Sequence, residues 1–373
     1  MKILHIASFI GNIGDNASHS GFHNLIGQEL RQKLEFNQIE IRRFYQSYSR
    51  LDKQLFDESF AKLSNKHDAL LIGGGGFLDY WIKGSQTGTT LDISLEILEQ
   101  IKVPIIIGSV GSLPHHDVPK ENFRKFEKFL QYASNRDNLH ILLRNDGSKT
   151  SLRNTFGEDL IENMPEILDH GFFYEPPKND LVLKKIKPYV LINTTVDQLE
   201  MINKNKNLSI AEFTKQIRRV IIHLLKTTEY NIVFIPHIYK DIYGFMQILE
   251  NVDDYFIRSR IQIAPYLQGN AGAETLFNLY RYSELNICMR FHANVCSLAF
   301  NQPTVGLAAL PRIENVHKNL DSHNYVNLNE GMAETIIKNL TTGISKPGVE
   351  SKLKEHKERT ISVYRDILNG IIK

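Results

Sequence analysis

The chain has 373 residues, 42% of them hydrophobic and 23% charged, with 44 basic side chains against 42 acidic ones. That length exceeds what one core usually fills, so two domains are expected, and the near-balanced charge of +2 removes any general need for nucleic acid as a partner. Cys288 and Cys296 are too few for a disulfide scaffold and suit a reducing, cytosolic location, while no apolar run approaches the ~18 residues of a membrane span.

The opening stretch "KILHIASF" reads as a strand rather than a secretion signal, because no cleavage-like segment follows it. "GNIGDNASHSGFHNLIGQELRQKL" is a loop running into a helix, and "QIEIRRFY" is a second strand. A helical segment through Lys62 leads to "DALLIGGGG", a strand ending in glycines. "TLDISLEILEQIK" has apolar residues at helical spacings, "VPIIIGSVG" is a strand, "KENFRKFEKFLQYAS" a helix and "LHILLRNDGS" a strand. This alternation predicts an open parallel sheet.

The Pro-Pro pair and the charged stretch after "FFYEPPKND" suit an interdomain link. The pattern then restarts. "YVLINTTV", "NIVFIPHI", "IRSRIQIAP", "LNICMRFHA" and "PTVGLAAL" are strands, with helices at "SIAEFTKQIRRVIIHLLKT" and "GAETLFNLYRYS". The expected organisation is a Rossmann-like domain over 1–175, a second over 186–345, and a C-terminal helix over 346–373 packing on either. The fold class is therefore α/β, two Rossmann-like domains facing across a cleft.

Ligands of open α/β sheets gather outside the carboxyl ends of the strands, which selects six loops. "GNIGDNA" offers tight-turn glycines and free N–H groups to an anion around Gly14, Asp15 and Asn16, although Asp15 or Asn16 also reads as a helix cap. It lacks the spacing of a dinucleotide fingerprint and the lysine of a P-loop. "IGGGGFLD" is costly to order, so Gly74, Gly75 and Gly76 suggest close approach by a ligand or a neighbouring loop. Asp79 beside them could orient a hydroxyl, and Tyr80 or Trp81 could stack on a sugar.

"LLRNDGS" sets Arg144 just after a strand, where it could grip a carboxylate or phosphate or close a salt bridge. Ser148 could contact substrate or cap the next helix. "FIPHIYKD" places His237 and Asp241 after a strand. "NICMRFHANVCSLAF" is the sharpest signal: Arg290 and His292 share a face if extended and precede a helix, so the pair suits an anion with a proton to exchange. Cys296 reads as core. The adjacent His115 and His116 are poor evidence for metal, and no metal site is expected.

Taken together, "GNIGDNA", "LLIGGGGFLD", "RNDGS", "FIPH…D" and "MRFHANVCSLAFNQPTVGL" resemble the polysaccharide pyruvyl transferase family, from the first strand to about residue 310. The resemblance implies a glycosyltransferase B-like architecture. It implies transfer of the three-carbon unit of phosphoenolpyruvate to a sugar of a cell-surface polysaccharide or its lipid-linked precursor, forming a pyruvyl ketal and releasing phosphate. The family's essential acidic, arginine and histidine positions map onto Asp79, Arg144, Arg290 and His292, with Gly14, Asp15, Asn16, Gly74, Gly75, Gly76, Ser148 and His237 as binding residues. Asn145 stands where the family more often has an acid, and "PRIENVHKNLDSHNYV" departs from its tyrosine- and lysine-bearing form, with Arg312 or Lys318 as substitute charges.

The reaction needs no redox cofactor, and it needs no divalent metal where the arginines and helix ends supply enough positive potential. The implied partners are phosphoenolpyruvate and a glycan or lipid-linked sugar, with the enzyme cytoplasmic and at the inner membrane face when the sugar is lipid-linked. Two other readings stand beside this one: a nucleotide-sugar glycosyltransferase of the same double architecture, and a noncatalytic carbohydrate-binding protein.

Overall fold

The computed structural model describes residues 1–31, 33–178, 188–202 and 208–372. Much of the expected interdomain link, residues 179–187, lies outside them. The chain divides into two compact units: Met1–Ile10, Gly21–His170 and Glu355–Lys373 form the first, and Gly11–Ser20 with Gly171–Lys354 the second.

The first unit contains a six-stranded parallel sheet: β1 (Lys2–Ala7), β2 (Glu35–Glu40), β3 (Ala69–Gly75), β4 (Ile105–Val110), β5 (Leu139–Arg144) and β6 (Glu166–Ile167), in the order β2-β1-β3-β4-β5-β6. β4 is buried along its whole length, as continuous apolar runs covered on both faces require. The helix Lys120–Ser134 lays Phe126, Phe129, Leu130 and Ala133 on this core. Phe126, Phe129 and Leu130 each contribute roughly 1.5–3 kcal/mol by their burial. From the same helix, the Asn122 amide donates to the carbonyls of Tyr80, Ile82 and Gly88 and so anchors the long loop after β3.

The second unit repeats the plan with β7 (Tyr189–Asn193), β8 (Asn231–Phe234), β9 (Ile261–Ile263), β10 (Leu285–Cys288), β11 (Thr304–Ala308) and β12 (Tyr325–Asn327), again all parallel, in the order β12-β11-β10-β7-β8-β9. The strand order reverses between β7 and β10, and between β1 and β3 in the first sheet. A crevice opens at such switch points.

Several boundaries differ from the sequence reading for local reasons. The helix expected from Thr90 begins only at Leu95, because Ser94 caps it by accepting from Ile97 N, while Leu91 and Ile93 are buried in the preceding loop. β2 stops at Glu40, whose carboxylate accepts from Arg42 N and starts a 3-10 turn over Ile41–Phe44. In "IRSRIQIAP" only Ile261–Ile263 is strand, since Arg258 and Arg260 end a helix begun at Asp254. β6, β12 and the helices Pro311–Asn319 and Met332–Thr342 were not anticipated. The C-terminal helix runs from Glu350 to Ile372, and its Tyr364 hydroxyl lies 2.7 Å from His170 Nε2 in the first unit. Among the described residues no helix is long and apolar enough to cross a membrane.

Candidate functional site

In the second unit, β10 ends at Cys288, and the chain turns through Met289 and Arg290 into the helix Phe291–Ala299. Its neighbour across the switch point is β7, whose last residue, Asn193, accepts from Arg290 N at 3.0 Å and from Met289 N at 2.8 Å. These bonds place Arg290 at the helix N-cap and His292 in its first turn, where N–H groups lack intrahelical partners.

The Arg290 guanidinium is buried and held on one side only. Nε donates to both oxygens of Asp241, Nη2 donates to Thr195 Oγ1 at 2.9 Å, and Nη2 also reaches Asp241 Oδ1 at 2.5 Å and Asp197 Oδ2 at 3.1 Å. Nη1 makes no hydrogen bond among the described residues. Burial opposes the charge, but Asp241 and then Asp197 outweigh it and hold the proton more firmly than usual. The reciprocal effect appears at Asp197: burial would raise its pKa, yet Arg290 and the Thr195 hydroxyl bring it below the ordinary carboxylate value.

Asp241 is itself fixed from behind, since its Oδ2 accepts from His237 N at 2.8 Å and Ile238 N at 3.2 Å at the start of the helix Tyr239–Leu249. The His237 ring is fully buried, with Nε2 2.7 Å from the Tyr280 hydroxyl. Burial, with Arg290 and His292 nearby, pushes its pKa well below the usual histidine value, so it is a neutral imidazole.

Residues 11–20 bring "GNIGDNA" to this unit. The cap of their helix is neither Asp15 nor Asn16: Asn12 Oδ1 accepts from Gly14 N at 2.9 Å. Asp15 is thereby left to meet His292, with Oδ1 3.6 Å from Nδ1. Gly14 lies directly on the imidazole, where an added Cβ would stand 2.7 Å from His292 Cβ and 2.8 Å from Nδ1. Asn16 turns instead to Asn270, donating to its Oδ1 at 3.1 Å.

A polar prop holds the turn from below. Asn294 donates to the carbonyls of Cys288 and Arg290, and its Oδ1 lies 3.0 Å from His317 Nε2. Burial lowers the His317 pKa to about 3, so the ring is neutral; Nε2–H donates to Asn294 and Nδ1 accepts from the Ser322 hydroxyl. Lys318, a candidate substitute charge, is spent on Glu314 at 2.7 Å on the exposed side of that helix. Cys296 is fully buried among core residues.

The first unit gathers the remaining candidates at the carboxyl ends of β3, β4 and β5. The glycine run is shaped by the protein's own close contacts. A Cβ on Gly73 would stand 2.1 Å from Gly108 O of β4, Gly74 has φ +81°, and a Cβ on Gly76 would lie 2.9 Å from Asp79 Oδ2. Asp79 is buried, accepts from Leu113 N at 2.6 Å and has its Oδ2 3.8 Å from His115 Nδ1.

Arg144 is almost fully enclosed. Its Nε donates to Asp146 Oδ2 at 2.5 Å, Nη1 lies 4.0 Å from Asp169 Oδ2, and the guanidinium fills the space where Gly111 has no Cβ. Asn145, at the position where an acid was expected, accepts from Asp169 N, so the carboxylate meeting Arg144 comes from the next residue. The Ser148 hydroxyl is also committed, donating to Asp146 Oδ1 and accepting from Ser112 N. Tyr80 corrects the sugar-stacking expectation: it is buried against Phe126 with ring centroids 5.1 Å apart. Trp81 sits against His116, at 4.5 Å.

Asp197, Thr195 and Asn193 were not singled out from the sequence. Their only signal is a polar cluster, "NTTVD", directly after a buried strand.

The sequence pattern of the family described as polysaccharide pyruvyl transferase matches residues 12–309. Among solved structures, the UDP-bound MnaA of S. aureus is similar at 14% identity and a TM-score of 0.54, covering 98% of this chain and 97% of that one. The UDP-GlcNAc 2-epimerase of Methanocaldococcus jannaschii, in complex with UDP-GlcNAc and UDP, is similar at 12% identity and 0.55, covering 98% and 99%. A glycosyltransferase from Rickettsia africae is similar at 12% identity and 0.57, covering 98% of each chain. No curated protein matches the chain. These structures share its fold, two Rossmann-like units of the glycosyltransferase B-like class.

Proposed function

Because the chain belongs to the polysaccharide pyruvyl transferase family, we propose that it transfers the pyruvyl unit of phosphoenolpyruvate to a sugar, leaving a ketal and inorganic phosphate. The observation that carries this reading is the half-engaged arginine. Asp241, Asp197 and Thr195 occupy Nε and Nη2 of Arg290 and leave Nη1 without a hydrogen bond among the described residues, on a side chain that belongs to the N-cap residue of the Phe291–Ala299 helix. An anion is attracted to such a place by both the guanidinium and the helix N–H groups.

In this reading Arg290 and the helix N-terminus hold the carboxylate and phosphate of the donor, and His292, backed by Asp15, exchanges the proton. Protonation of the donor's methylene carbon makes a methyl group and gives the enol carbon oxocarbenium character. One sugar hydroxyl bonds to that carbon; a second hydroxyl of the same sugar closes the ketal as the carbon–oxygen bond to phosphate breaks. Of the two hydroxyl protons, one balances the proton now on the methyl group and the other leaves with phosphate. His237 supports Asp241 through its backbone N–H rather than reacting, since its ring Nε2 is engaged with the Tyr280 hydroxyl and burial holds its pKa well below the usual histidine value.

For the first unit, the reading assigns Asp79 to a sugar hydroxyl with His115 beside it. Arg144 and Ser148 become positioning residues, because their polar atoms are committed to Asp146 and its neighbours. The Gly74–Gly76 run shapes the turn that carries Asp79.

The test supplies phosphoenolpyruvate and candidate glycans, following phosphate release and acceptor mass, with UDP-sugars as a parallel arm. A mass gain of one pyruvyl ketal that is lost in folded His292→Ala and Arg290→Ala variants supports the proposal. Hexose transfer from a UDP-sugar, or no binding of phosphoenolpyruvate, overturns it.

A further inference from the structure

The loops after β3 and β4 are laced together, and the lacing aims one histidine at one carboxylate. Gly111 N donates to Gly75 O at 2.8 Å, Leu78 N to Gly111 O at 3.2 Å, and the Ser112 hydroxyl to Leu78 O at 2.7 Å. Leu113 N then donates to Asp79 Oδ1 at 2.6 Å. With Oδ1 so committed, Oδ2 is the oxygen turned toward the continuing chain. It meets Nδ1 of His115, two residues beyond Leu113, at 3.8 Å. Pro114 between them fixes its own φ and narrows the ways in which the chain can deliver the ring.

Burial separates the tasks of the two groups. The Asp79 side chain is 7% exposed and that of His115 is 18% exposed, so the ring is the more accessible member of the pair. A carboxylate facing Nδ1 favours the tautomer that carries its proton there, and Nε2 on the far side of the ring then keeps a lone pair. That is how a carboxylate turns a histidine into a base for a hydroxyl, and a separation of 3.8 Å is one that tightens when substrate binds. His116 lies against Trp81 at 4.5 Å and against His115 at 4.6 Å, which steadies the reactive ring from one side. The charges around the pair are Asp117 on the same loop and Arg144 at the end of β5, which feels the Asp79 carboxylate.

We infer that His115 is the base for the acceptor: its Nε2 takes the proton of the sugar hydroxyl that bonds to the enol carbon, and Asp79 positions the ring. The inference rests on the pyruvyl-transfer reading and moves the contact with that hydroxyl from Asp79 to His115. The hydroxyl oxygen supplies the electron pair of the new bond to carbon. Its O–H bond breaks with that pair staying on oxygen, and the proton passes to Nε2 and then to water. His292 regains from water the proton it gave to the methyl group, and the second hydroxyl's proton leaves with phosphate, so the overall count is unchanged.

The experiment follows ketal formation by the full-length protein across pH, with phosphoenolpyruvate and the glycan that the transfer assay shows to accept it. A base that must be neutral gives kcat a rising limb in the histidine range, around pH 6.5, and an acid that must be protonated gives the falling limb. His115→Ala should lower kcat by roughly 10²–10⁴-fold and lose the rising limb, with phosphoenolpyruvate binding unaltered and partial rescue by added imidazole. His116→Ala should keep both limbs. Asp79→Asn should lower kcat on its own but cost nothing further in His115→Ala, because it acts through the ring. An unimpaired His115→Ala, a rising limb that survives it, or losses that add to those of Asp79→Asn would overturn the inference and leave the pyruvyl-transfer reading standing. No ketal from the unaltered protein with any glycan would overturn both.

Discussion

Both carboxylate oxygens of Asp241 lie on the Arg290 guanidinium, Oδ1 2.5 Å from Nη2 and Oδ2 2.9 Å from Nε. The pair turns a flexible side chain into a fixed one and decides which edge of the guanidinium stays available. Asp241 is wholly buried, so the geometry is enforced in a place where an unpaired charge is expensive.

Replacing Asp241 by asparagine should therefore cost more than a surface ion pair would. Breaking one side of a buried pair typically costs about 3–5 kcal/mol; retained shape and the bond to Asp197 place this variant near the lower figure, about 3 kcal/mol. Urea unfolding measures it, and a loss under about 1 kcal/mol would show that the pair is not structurally important. In the folded fraction, KM for phosphoenolpyruvate should rise, because the guanidinium loses its fixed orientation. Arg290→Lys should not rescue either property, since an ammonium cannot reach Asp241, Asp197 and Thr195 as a planar fork does.

Gly14 and His292 should be energetically coupled. A methyl at position 14 would overlap the imidazole, with two ring-side contacts under 3 Å, so Gly14→Ala should destabilise by about 1–3 kcal/mol and lower turnover. His292→Gly removes both contacts, whereas alanine would keep the Cβ that stands 2.7 Å away. The double variant should then be more stable than the sum of the single losses predicts, by on the order of 1 kcal/mol in a double-mutant cycle. Strict additivity would mean that Gly14 and the imidazole do not press on each other in solution.

Buried neutral histidines set the acid side of the stability profile. Burial lowers His170 to about 4 and His317 to about 3, and His237 is also held well below the usual 6.5. The unfolded chain then takes up protons below pH 6.5 that the folded chain refuses, so stability falls as pH drops from 6.5 toward 4. Each such histidine contributes a slope on the order of 1 kcal/mol per pH unit within its window. Asp197 acts in a lower range: its pKa is depressed from 3.8, so its contribution is present above that value and is lost below it. Urea midpoints at pH 7, 6 and 5 should decline, and His170→Gln should flatten the decline by one proton's worth. A flat profile over that range would contradict the buried, neutral state of these rings.

The legible parts of this protein were those whose signal is local. Buried strands followed by amphipathic helices announced two parallel sheets, and "MRFHANV" announced a charged pair entering a helix, because strand end, cap and first turn are neighbours in sequence. The partners of that pair were not legible. Asp197 and Thr195 reach Arg290 only because β10 lies beside β7, and Asp15 reaches His292 only because residues 11–20 leave the first unit for the second. Burial was equally hidden: "RNDGS" reads as an anion grip, yet Asp146, one residue beyond Asn145, folds back to neutralise Arg144. Tyr80 likewise follows the glycine run as if displayed, but three phenylalanine rings surround it.

The glycine run itself admits a sharper division. Gly73 faces a backbone oxygen of the adjacent strand, 2.1 Å from where its Cβ would be, and a strand in the middle of a sheet cannot step aside. Gly76 faces the end of the Asp79 side chain at 2.9 Å, which can rotate at the expense of its bond from Leu113 N. Gly73→Ala should therefore break the β3–β4 pairing and yield a chain without cooperative unfolding, whereas Gly76→Ala should fold, losing about 1–2 kcal/mol. Activity separates them further. If Asp79 serves an acceptor hydroxyl, folded Gly76→Ala should show impaired transfer to sugar while still binding phosphoenolpyruvate as tightly as the unaltered protein. Weakened donor binding with acceptor use intact would move Asp79, and the turn that carries it, out of the acceptor role.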